Sequence, residues 1–147
     1  MIRRGVPPDA SQVARISRDS RAESMPWLPV LHTPEEDEAW FRAALADESY
    51  VFEEEGRILG IAVLREDELD ALYVAPDAQR RGVGTALFRH AQEARPGGFG
   101  WWVFRDNEGA RRFYESLGGR LLYETDGRGN EEQTPDARYE WRPDTSE

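Results

Sequence analysis

The residue types that could do chemistry are concentrated in one loop, at residues 79–84, where the sequence reads QRRGVG. A strand-like run ends just before this loop, at Val74, and a helical pattern begins just after it, at Thr85. The first turn of a helix has backbone N–H groups without an intrahelical acceptor, and glycines let an anion approach them closely. Two arginines beside the glycines favour bidentate pairing with phosphate. The pattern predicts an anion site, the simpler alternative being a helix start whose glycines serve only as a turn.

Two residue types are absent from the chain, and both absences narrow the chemistry. All 19 basic residues are arginine, so no lysine is present for a Walker phosphate loop or a Schiff base. Without cysteine, a disulfide framework, a thiolate nucleophile and a cysteine-bearing zinc site are excluded, and a reducing cytoplasm is the expected location. A dinucleotide fingerprint needs a third glycine, but Leu87 stands at that position.

Length and charge set further limits. The 147 residues suffice for one domain, and the net charge of −10 argues against a nucleic-acid partner and is compatible with attracting protonated amines. The charge is uneven, since residues 35–55 hold nine acids and one arginine, whereas residues 79–112 hold seven arginines and three acids. Neither a signal peptide nor an apolar run long enough to span a membrane is recognisable, so no membrane partner is expected.

Hydrophobic periodicity and turn signals predict a mixed α/β fold that includes a meander of antiparallel strands. The helix that follows the N-cap Thr33 is expected to carry Ala39, Trp40, Ala43 and Ala44 on one face. The predicted order is strand (2–4), helix from 9, helix from 33, strands (50–52, 58–64 and 69–74), helix (85–94), strand (99–104), helix (107–117) and two strands (120–124 and 137–141).

Two motifs in the chain resemble those of the GNAT superfamily of acyl-CoA-dependent N-acetyltransferases. The first is a strand ending V-x-P followed by Q/R-x-x-G-x-G/A, which stands here at residues 74–84. The second is N-x-x-A-x-x-F-Y-x-x-x-G-F, which stands at residues 107–119 with Gly119 in place of the final phenylalanine. The resemblance covers residues 50–124 well and the preceding helices by order only. It implies one GNAT-like domain over residues 1–147, with a central, largely antiparallel mixed sheet and flanking helices.

The resemblance also implies that acetyl-CoA is the cosubstrate and assigns contacts to it. Leu72, Tyr73 and Val74 would pair through their backbone with the pantetheine arm and polarise the thioester carbonyl. Asn107 would contact the cosubstrate where two central strands separate. The pyrophosphate would bind the loop residues Gln79, Arg80, Arg81, Gly82, Val83, Gly84 and Thr85.

Acetyl transfer to an amine is helped by a base for the incoming amine and an acid for the leaving sulfur. Tyr114 matches the family tyrosine assigned as the acid, its alternative role being an aromatic core residue. Glu68 matches the family position that often carries the base, and strand periodicity places Glu68, Asp70, Leu72 and Val74 on one face. Asp70 lies one step nearer the cosubstrate, so the base is left open between Glu68, Asp70 and water. Both acids could instead be solvated residues near a turn.

Several residues outside the motifs are candidates for the acceptor site. The loop that holds Trp27 and His32 is expected to cover the acceptor side, and Asp70 could face it from the strand. Glu131 and Glu132, between the last two strands, could complete an acidic, aromatic pocket for a cationic amine, the alternative being an ordinary hairpin loop. No third ligand type accompanies the two histidines, so no metal site is expected.

The sequence therefore predicts transfer of acetyl from acetyl-CoA to a small-molecule or peptide primary amine. Direct attack in a ternary complex is favoured, because the chain has no cysteine to carry an acyl group. The alternatives are an acetyltransferase for protein N-termini or lysines and a non-catalytic acyl-CoA sensor. The resemblance also admits a homodimer.

Overall fold

The computed structural model describes residues 1–143. The seven strands are β1 (Ile2–Arg4), β2 (Glu48–Glu54), β3 (Arg57–Arg65), β4 (Glu68–Val74), β5 (Phe99–Phe104), β6 (Arg120–Thr125) and β7 (Asp136–Trp141). The four α-helices are α1 (Ala10–Ser24), α2 (Pro34–Ala46), α3 (Val83–Ala94) and α4 (Glu108–Ser116). None of these helices is long and apolar enough to cross a membrane.

All seven strands form one sheet in the order β1-β2-β3-β4-β5-β7-β6. Every neighbouring pair is antiparallel except β4 and β5, which run parallel. This confirms the predicted mixed α/β fold with a largely antiparallel sheet. The single parallel pair matters for function, because β4 and β5 pair only at Glu68 and Gly100 and separate beyond that point.

The central strand β3 explains how the helices are arranged. Seven consecutive residues of β3, Ile58 to Leu64, are buried. Because side chains alternate between the faces of a strand, such a run has to be covered on both faces. Helices α1 and α3 both pack on β3 and β4, and the buried side chains form one core around them.

Helix α2 begins as predicted, and Phe41 and Leu45 form its buried side. The Thr33 side chain accepts a hydrogen bond from the Glu36 N–H, and Glu36 reciprocates on the Thr33 N–H. The buried residues are Phe41 and Leu45, whereas Ala39, Trp40 and Ala43 are exposed. Phe41 and Leu45 lie four residues apart on the side that meets the core, whereas Trp40 is half exposed and lines a cavity.

Candidate active site

The loop at residues 79–85, called the glycine loop below, leaves the start of α3 without a cap. Gly82 is the N-cap in the left-handed region, at φ +84°, and no side chain caps the helix. The first helical bond of α3 runs from the Ala86 N–H to the Gly82 carbonyl, 3.0 Å long. The N–H groups of residues 83–85 therefore lack an intrahelical acceptor, a donor set that suits phosphate. The helix starts at Val83, two residues earlier than predicted.

Side chains cap helices α2 and α4, whereas α3, like α1, has no side-chain cap. Thr33 caps α2, and the Oδ1 atom of Asn107 accepts a hydrogen bond of 3.3 Å from the Ala110 N–H at the start of α4. Asn107, predicted to contact the cosubstrate, thus has a structural role that leaves its NH₂ group for another partner. At the start of α4 a side chain therefore occupies an N–H group, whereas the corresponding N–H groups of α3 have no side-chain acceptor.

The side chains around the glycine loop fit an anion on its backbone. A Cβ atom at Gly84 would lie 3.3 Å from Phe113 Cζ and 3.4 Å from Val74 Cγ2, so glycine lets α3 lie close to the end of β4. Arg81 is held by Glu54, 2.8 Å away, whereas Arg80 is exposed and has no ion pair within residues 1–143. Gln79 donates to the Val74 carbonyl over 3.4 Å and ties the loop to the strand.

Beyond the Glu68–Gly100 pair, one edge of β4 is not hydrogen bonded to β5. Its other edge is paired with β3, since Leu72, Tyr73 and Val74 lie opposite Ala62, Ile61 and Gly60. The free edge therefore offers backbone donors and acceptors to an extended ligand, as strand addition requires. The three residues predicted to pair with pantetheine lie on this segment.

Tyr114 lies on α4 and is 9% exposed. Its ring centroid is 4.9 Å from that of Trp101 and 5.9 Å from that of Phe88, so it is an aromatic core residue, as the alternative interpretation had it. Its pKa is influenced by burial and by Tyr73 and by no hydrogen bond to a residue from 1 to 143, and burial raises the pKa of the phenol well above its usual range. A buried phenol that keeps its proton and has no acceptor is suited to donate that proton to an incoming group.

Strand β4 contains a bulge at Asp70, which changes the predicted arrangement of its faces. Leu69 lies opposite Leu64 and Ala71 opposite Val63, so Asp70 is an extra residue without a partner on β3. A bulge shifts the alternation of side chains by one residue. Val74 contacts the start of α3, whereas Asp70 lines a cavity on the α1 and α2 side. The prediction that these two residues share a face is therefore wrong.

Glu68, the predicted base, is paired with a guanidinium. Its Oε2 accepts a hydrogen bond of 2.9 Å from Arg138 Nη1, and its Oε1 accepts a second from Arg138 Nη2. The Arg138 guanidinium also lies 5.3 Å from the centre of the Trp102 ring. The pKa of Arg138 is raised by its hydrogen bonds to Glu68, which keeps the cation in place. Both oxygens of Glu68 are thus already used as acceptors.

The cavity beside Asp70, called the acidic cavity below, has a volume of about 490 Å³. It lies between α1, α2, β4 and the β6–β7 loop. Four carboxylates line it against one arginine and one histidine; these are Glu36, Asp37, Asp70 and Glu131, with Arg21 and His32. Asp37 is paired with Arg21 at 3.2 Å. The excess of negative charge favours a cationic ligand.

His32, on the loop between α1 and α2, contacts Glu131 of the β6–β7 loop at the rim of this cavity. Its Nε2 lies 2.7 Å from Glu131 Oε1, and its Nδ1 lies 3.7 Å from Glu36 Oε1. The hydrogen bond to Glu131 raises the pKa of the imidazole. The predicted acceptor residues His32, Asp70 and Glu131, which are far apart in the chain, therefore meet in one place.

Two other predicted acceptor residues do not line the acidic cavity. Trp27 packs edge-on against Phe104, with ring centroids 6.4 Å apart. Glu132 lines a second cavity of about 550 Å³, together with Trp102, Phe104 and Asn130. Asn130 folds the β6–β7 loop on itself by donating to the Thr134 carbonyl at 2.7 Å, so the two adjacent glutamates enter different cavities.

The charged residues of the acidic cavity that sequence reasoning missed are Arg21, Glu36 and Asp37. A signal for one of them is present in α1. Ser17 and Arg21 continue the buried position Val13 at four-residue spacing, so polar residues occupy the inward stripe of a helix. Polar residues on such a stripe indicate a lined cavity. Within residues 1–143, no cluster of three or more acidic or histidine side chains could hold a metal ion.

The profile of the acetyltransferase (GNAT) family matches residues 16–119. The peptidyl-lysine N-acetyltransferase YiaC of Escherichia coli (strain K12) is 38% identical over 76 residues, which are 51% of this chain and 51% of YiaC. This chain therefore aligns with about half the length of that relative.

Two solved structures have a similar fold. A GCN5-related N-acetyltransferase from Rhodopseudomonas palustris superimposes with a TM-score of 0.81 at 25% identity, covering 97% of this chain and 95% of that one. The PaiA N-acetyltransferase from Thermoplasma acidophilum, solved in complex with coenzyme A, superimposes with a TM-score of 0.70 at 17% identity, covering 97% and 98%. The second likeness concerns the fold alone.

Proposed function

Because this chain belongs to the GNAT family of acetyltransferases, we propose that it transfers an acetyl group from acetyl-CoA to a primary amine that attacks directly in a ternary complex. The observation that carries the proposal is the position of β4. Its C-terminal end leads into the uncapped start of α3, and the same strand lines the acidic cavity through Asp70, Ala71 and Tyr73. One strand thus borders an anion site and a cation-attracting site.

The residues that would hold acetyl-CoA form a continuous path. The N–H groups of residues 83–85 and the side chain of Arg80 suit the pyrophosphate, and the free edge of β4 at residues 72–74 suits the amide groups of pantetheine. When bound, acetyl-CoA supplies an activated acyl carbon. PaiA, which has the same fold, was solved with coenzyme A, and this likeness supports the assignment.

Tyr114 is proposed as the acid that protonates the departing sulfur. The phenol is protonated across the neutral pH range because burial raises its pKa, and no hydrogen bond to a residue from 1 to 143 acts on it. A non-catalytic acyl-CoA sensor would have no use for a proton donor there. Direct attack is supported by the absence of any cysteine that could carry the acyl group.

The acceptor is proposed to enter the acidic cavity as a cation. Four carboxylates line that cavity, and only Asp37 is paired with an arginine that also lines it. A small amine fits this description, and so does the side chain of a lysine in a protein. The likeness to the peptidyl-lysine N-acetyltransferase YiaC favours lysine as the second candidate.

Release of coenzyme A from acetyl-CoA tests the proposal, with small amines, lysine peptides and peptides with a free N-terminus offered as acceptors. We expect saturable turnover with at least one of these classes, and the preferred class identifies the acceptor. Saturable binding of acetyl-CoA without turnover on any of them would instead support the sensor.

Tyr114→Phe tests the assigned acid. We expect kcat to fall about 100-fold, because general acid catalysis contributes on the order of 10²–10⁴, while the Kd for acetyl-CoA stays within about twofold. Phe113→Leu, a change to the neighbouring ring on α4, is the control for altered packing. If Tyr114→Phe keeps the turnover of the wild type, Tyr114 is not the acid. That result would not bear on the fold or on the proposed acetyl-CoA site.

A further inference from the structure

We propose that Asp70 is the base that removes a proton from the acceptor amine, an inference that rests on the proposed acetyl transfer. Glu68, the residue favoured by family resemblance, becomes a residue that holds β4 to β7. Three features of the described residues carry this assignment: the bulge in β4, the surroundings of each carboxylate, and their positions relative to the acidic cavity.

The bulge places the Asp70 carboxylate where an acceptor can reach it. Between Glu68 and Val74, Asp70 is the one residue without a partner on β3. Bulges next to active sites redirect a side chain, and they cost the strand regular pairing. Here Asp70 and Ala71, which are adjacent in sequence, both line the acidic cavity together with Tyr73. In a regular strand these neighbours would point to opposite faces.

The surroundings of Asp70 leave its carboxylate available. Its side chain is 20% exposed, and its partner Arg65, at 3.1 Å, is 69% exposed and therefore free to move into solvent. Burial raises the pKa of Asp70, opposed by Arg65 and assisted by Glu68 and Glu66. The other charged groups that line the same cavity are the Arg21–Asp37 pair, Glu36 and the His32–Glu131 pair. A carboxylate with a raised pKa is a stronger base and is better matched to neutral pH.

Glu68 is placed differently in each of these respects. Both of its oxygens accept hydrogen bonds from Arg138, whose side chain is only 18% exposed. It does not line the acidic cavity. If Glu68 took a proton from an amine, it would lose the negative charge that pairs with a largely buried guanidinium, which is itself packed on Trp102. The pair with Arg138 therefore makes Glu68 a structural link between β4 and β7.

The proton and electron balance of the reaction is complete with these groups. One Asp70 oxygen takes a proton from the ammonium group, and the nitrogen lone pair so released forms the bond to the thioester carbon. The carbon–sulfur bond breaks, and the sulfur leaves with its electron pair and takes the proton of the Tyr114 hydroxyl. The second proton lost by the nitrogen restores the Tyr114 phenol, and Asp70 gives its proton to water. The products are an N-acetyl amine and the free thiol.

The test measures kcat and kcat/KM against pH for Asp70→Asn, with the best acceptor from the panel described above. We expect kcat to fall about 100-fold or more near neutral pH, with a small change in KM. The variant should then gain about tenfold in kcat/KM per pH unit on the alkaline side, because only amine that has already lost its proton can react. With a weakly basic fluorinated amine, which is neutral near pH 7, the substitution Asp70→Asn should lower kcat far less.

Three comparisons make the result specific. Asp19→Asn removes an exposed aspartate of α1 outside the cavity and should match the wild type. Glu68→Gln should lower the melting temperature yet keep the shape of the wild-type pH profile. In the wild type itself, the acid limb of kcat/KM should stay at the same pH for amines of different basicity. Asp70→Glu should recover part of kcat.

Each outcome bears on one assignment. If Asp70→Asn raises only KM, Asp70 binds the cation and is not the base. If Glu68→Gln abolishes the wild-type pH profile, Glu68 is the base. If the acid limb of the wild type follows the basicity of the amine, no base acts, a result that holds even where a variant fails to fold. A folded wild type without turnover on any acceptor would overturn the proposed function, and the Asp70 assignment with it.

Discussion

The glycine loop and the acidic cavity both border β4, but the chain builds them in different ways. The loop is one continuous segment whose donors are backbone N–H groups at the start of α3. The cavity is assembled from α1, α2 with its preceding loop, β4 and the β6–β7 loop, and its charges are side chains. A backbone site depends on a few glycines and on helix geometry, whereas a side-chain site can change with a single substitution.

This difference bears on specificity. The proposed acetyl-CoA site uses the N–H groups of residues 83–85, which no side chain caps, and the free edge of β4. The proposed acceptor site uses side chains such as that of Glu131, an exposed residue of the β6–β7 loop. Substitutions in the cavity can therefore alter the acceptor without altering the fold or the cosubstrate, because loop residues tolerate change better than core residues.

Of the substitutions that separate the two sites, Gly84→Val is expected to have the largest effect, a weaker binding of acetyl-CoA. The added side chain would meet Phe113 and Val74, because the Cβ position already lies 3.3 Å and 3.4 Å from their atoms. Overpacking should cost about 1–3 kcal/mol of unfolding free energy and move the start of α3. We expect the Kd for acetyl-CoA, measured by calorimetry, to rise more than about tenfold, since several phosphate contacts depend on that position.

Gly97→Val is the matched control, because a Cβ atom at Gly97 has no neighbour within 4 Å. That variant should bind acetyl-CoA like the wild type. If Gly84→Val also bound normally while folded, the glycine loop would not be the pyrophosphate site, and the distinction between the two sites would lose its basis.

A smaller effect is expected from Glu131→Gln, which changes the acidic cavity alone. Removing one partly exposed carboxylate should raise the KM for a cationic acceptor about two- to fivefold, the range of an exposed ion pair. The KM for acetyl-CoA should not change. Glu132→Gln, the adjacent residue that lines the other cavity, provides the comparison and should shift the acceptor KM less. If both substitutions changed the acceptor KM equally, the acceptor would not bind specifically in the acidic cavity.

The same division explains how much could be predicted from the sequence. The element order and the glycine loop depend on residues close together in the chain, such as the Thr33–Glu36 cap and the glycines before α3. Helix periods and turn residues are local properties, so they are legible without a structure. The roles assigned to Tyr114 and Glu68 came from resemblance instead, and they stay predictions.

What could not be predicted depends on pairing between distant segments. The bulge at Asp70 is defined by the register of β4 on β3, and the Glu68–Arg138 pair joins residues 70 positions apart. Strand periodicity assumes a regular ladder, and a single extra residue exchanges its faces. The separation of Glu131 from Glu132 follows likewise from the fold of the β6–β7 loop around Asn130.

The smallest predicted effect concerns the pH dependence of the acidic cavity. Protonated His32 bridges the α1–α2 loop to Glu131, and this hydrogen bond raises the pKa of the imidazole above its ordinary value near 6.5. The charged bridge is complete below about pH 6.5 and is lost as pH rises through the raised pKa of the folded protein. Glu36 and Asp37 on α2 add to the attraction for the proton. On the proposed acceptor site, a charged His32 would compete with a cationic acceptor for Glu131.

We therefore expect the acceptor KM to fall about twofold as pH rises through the His32 titration, a modest change because the pair is exposed to solvent. His32→Gln should give an acceptor KM that is flat over the same range, whereas the acetyl-CoA KM should be flat in both proteins because the glycine loop contains no histidine. An NMR titration of the imidazole provides the pH at which the change must occur. A KM that changes at another pH, or that changes in His32→Gln as well, would show that Glu131 is not the site where the acceptor and His32 compete.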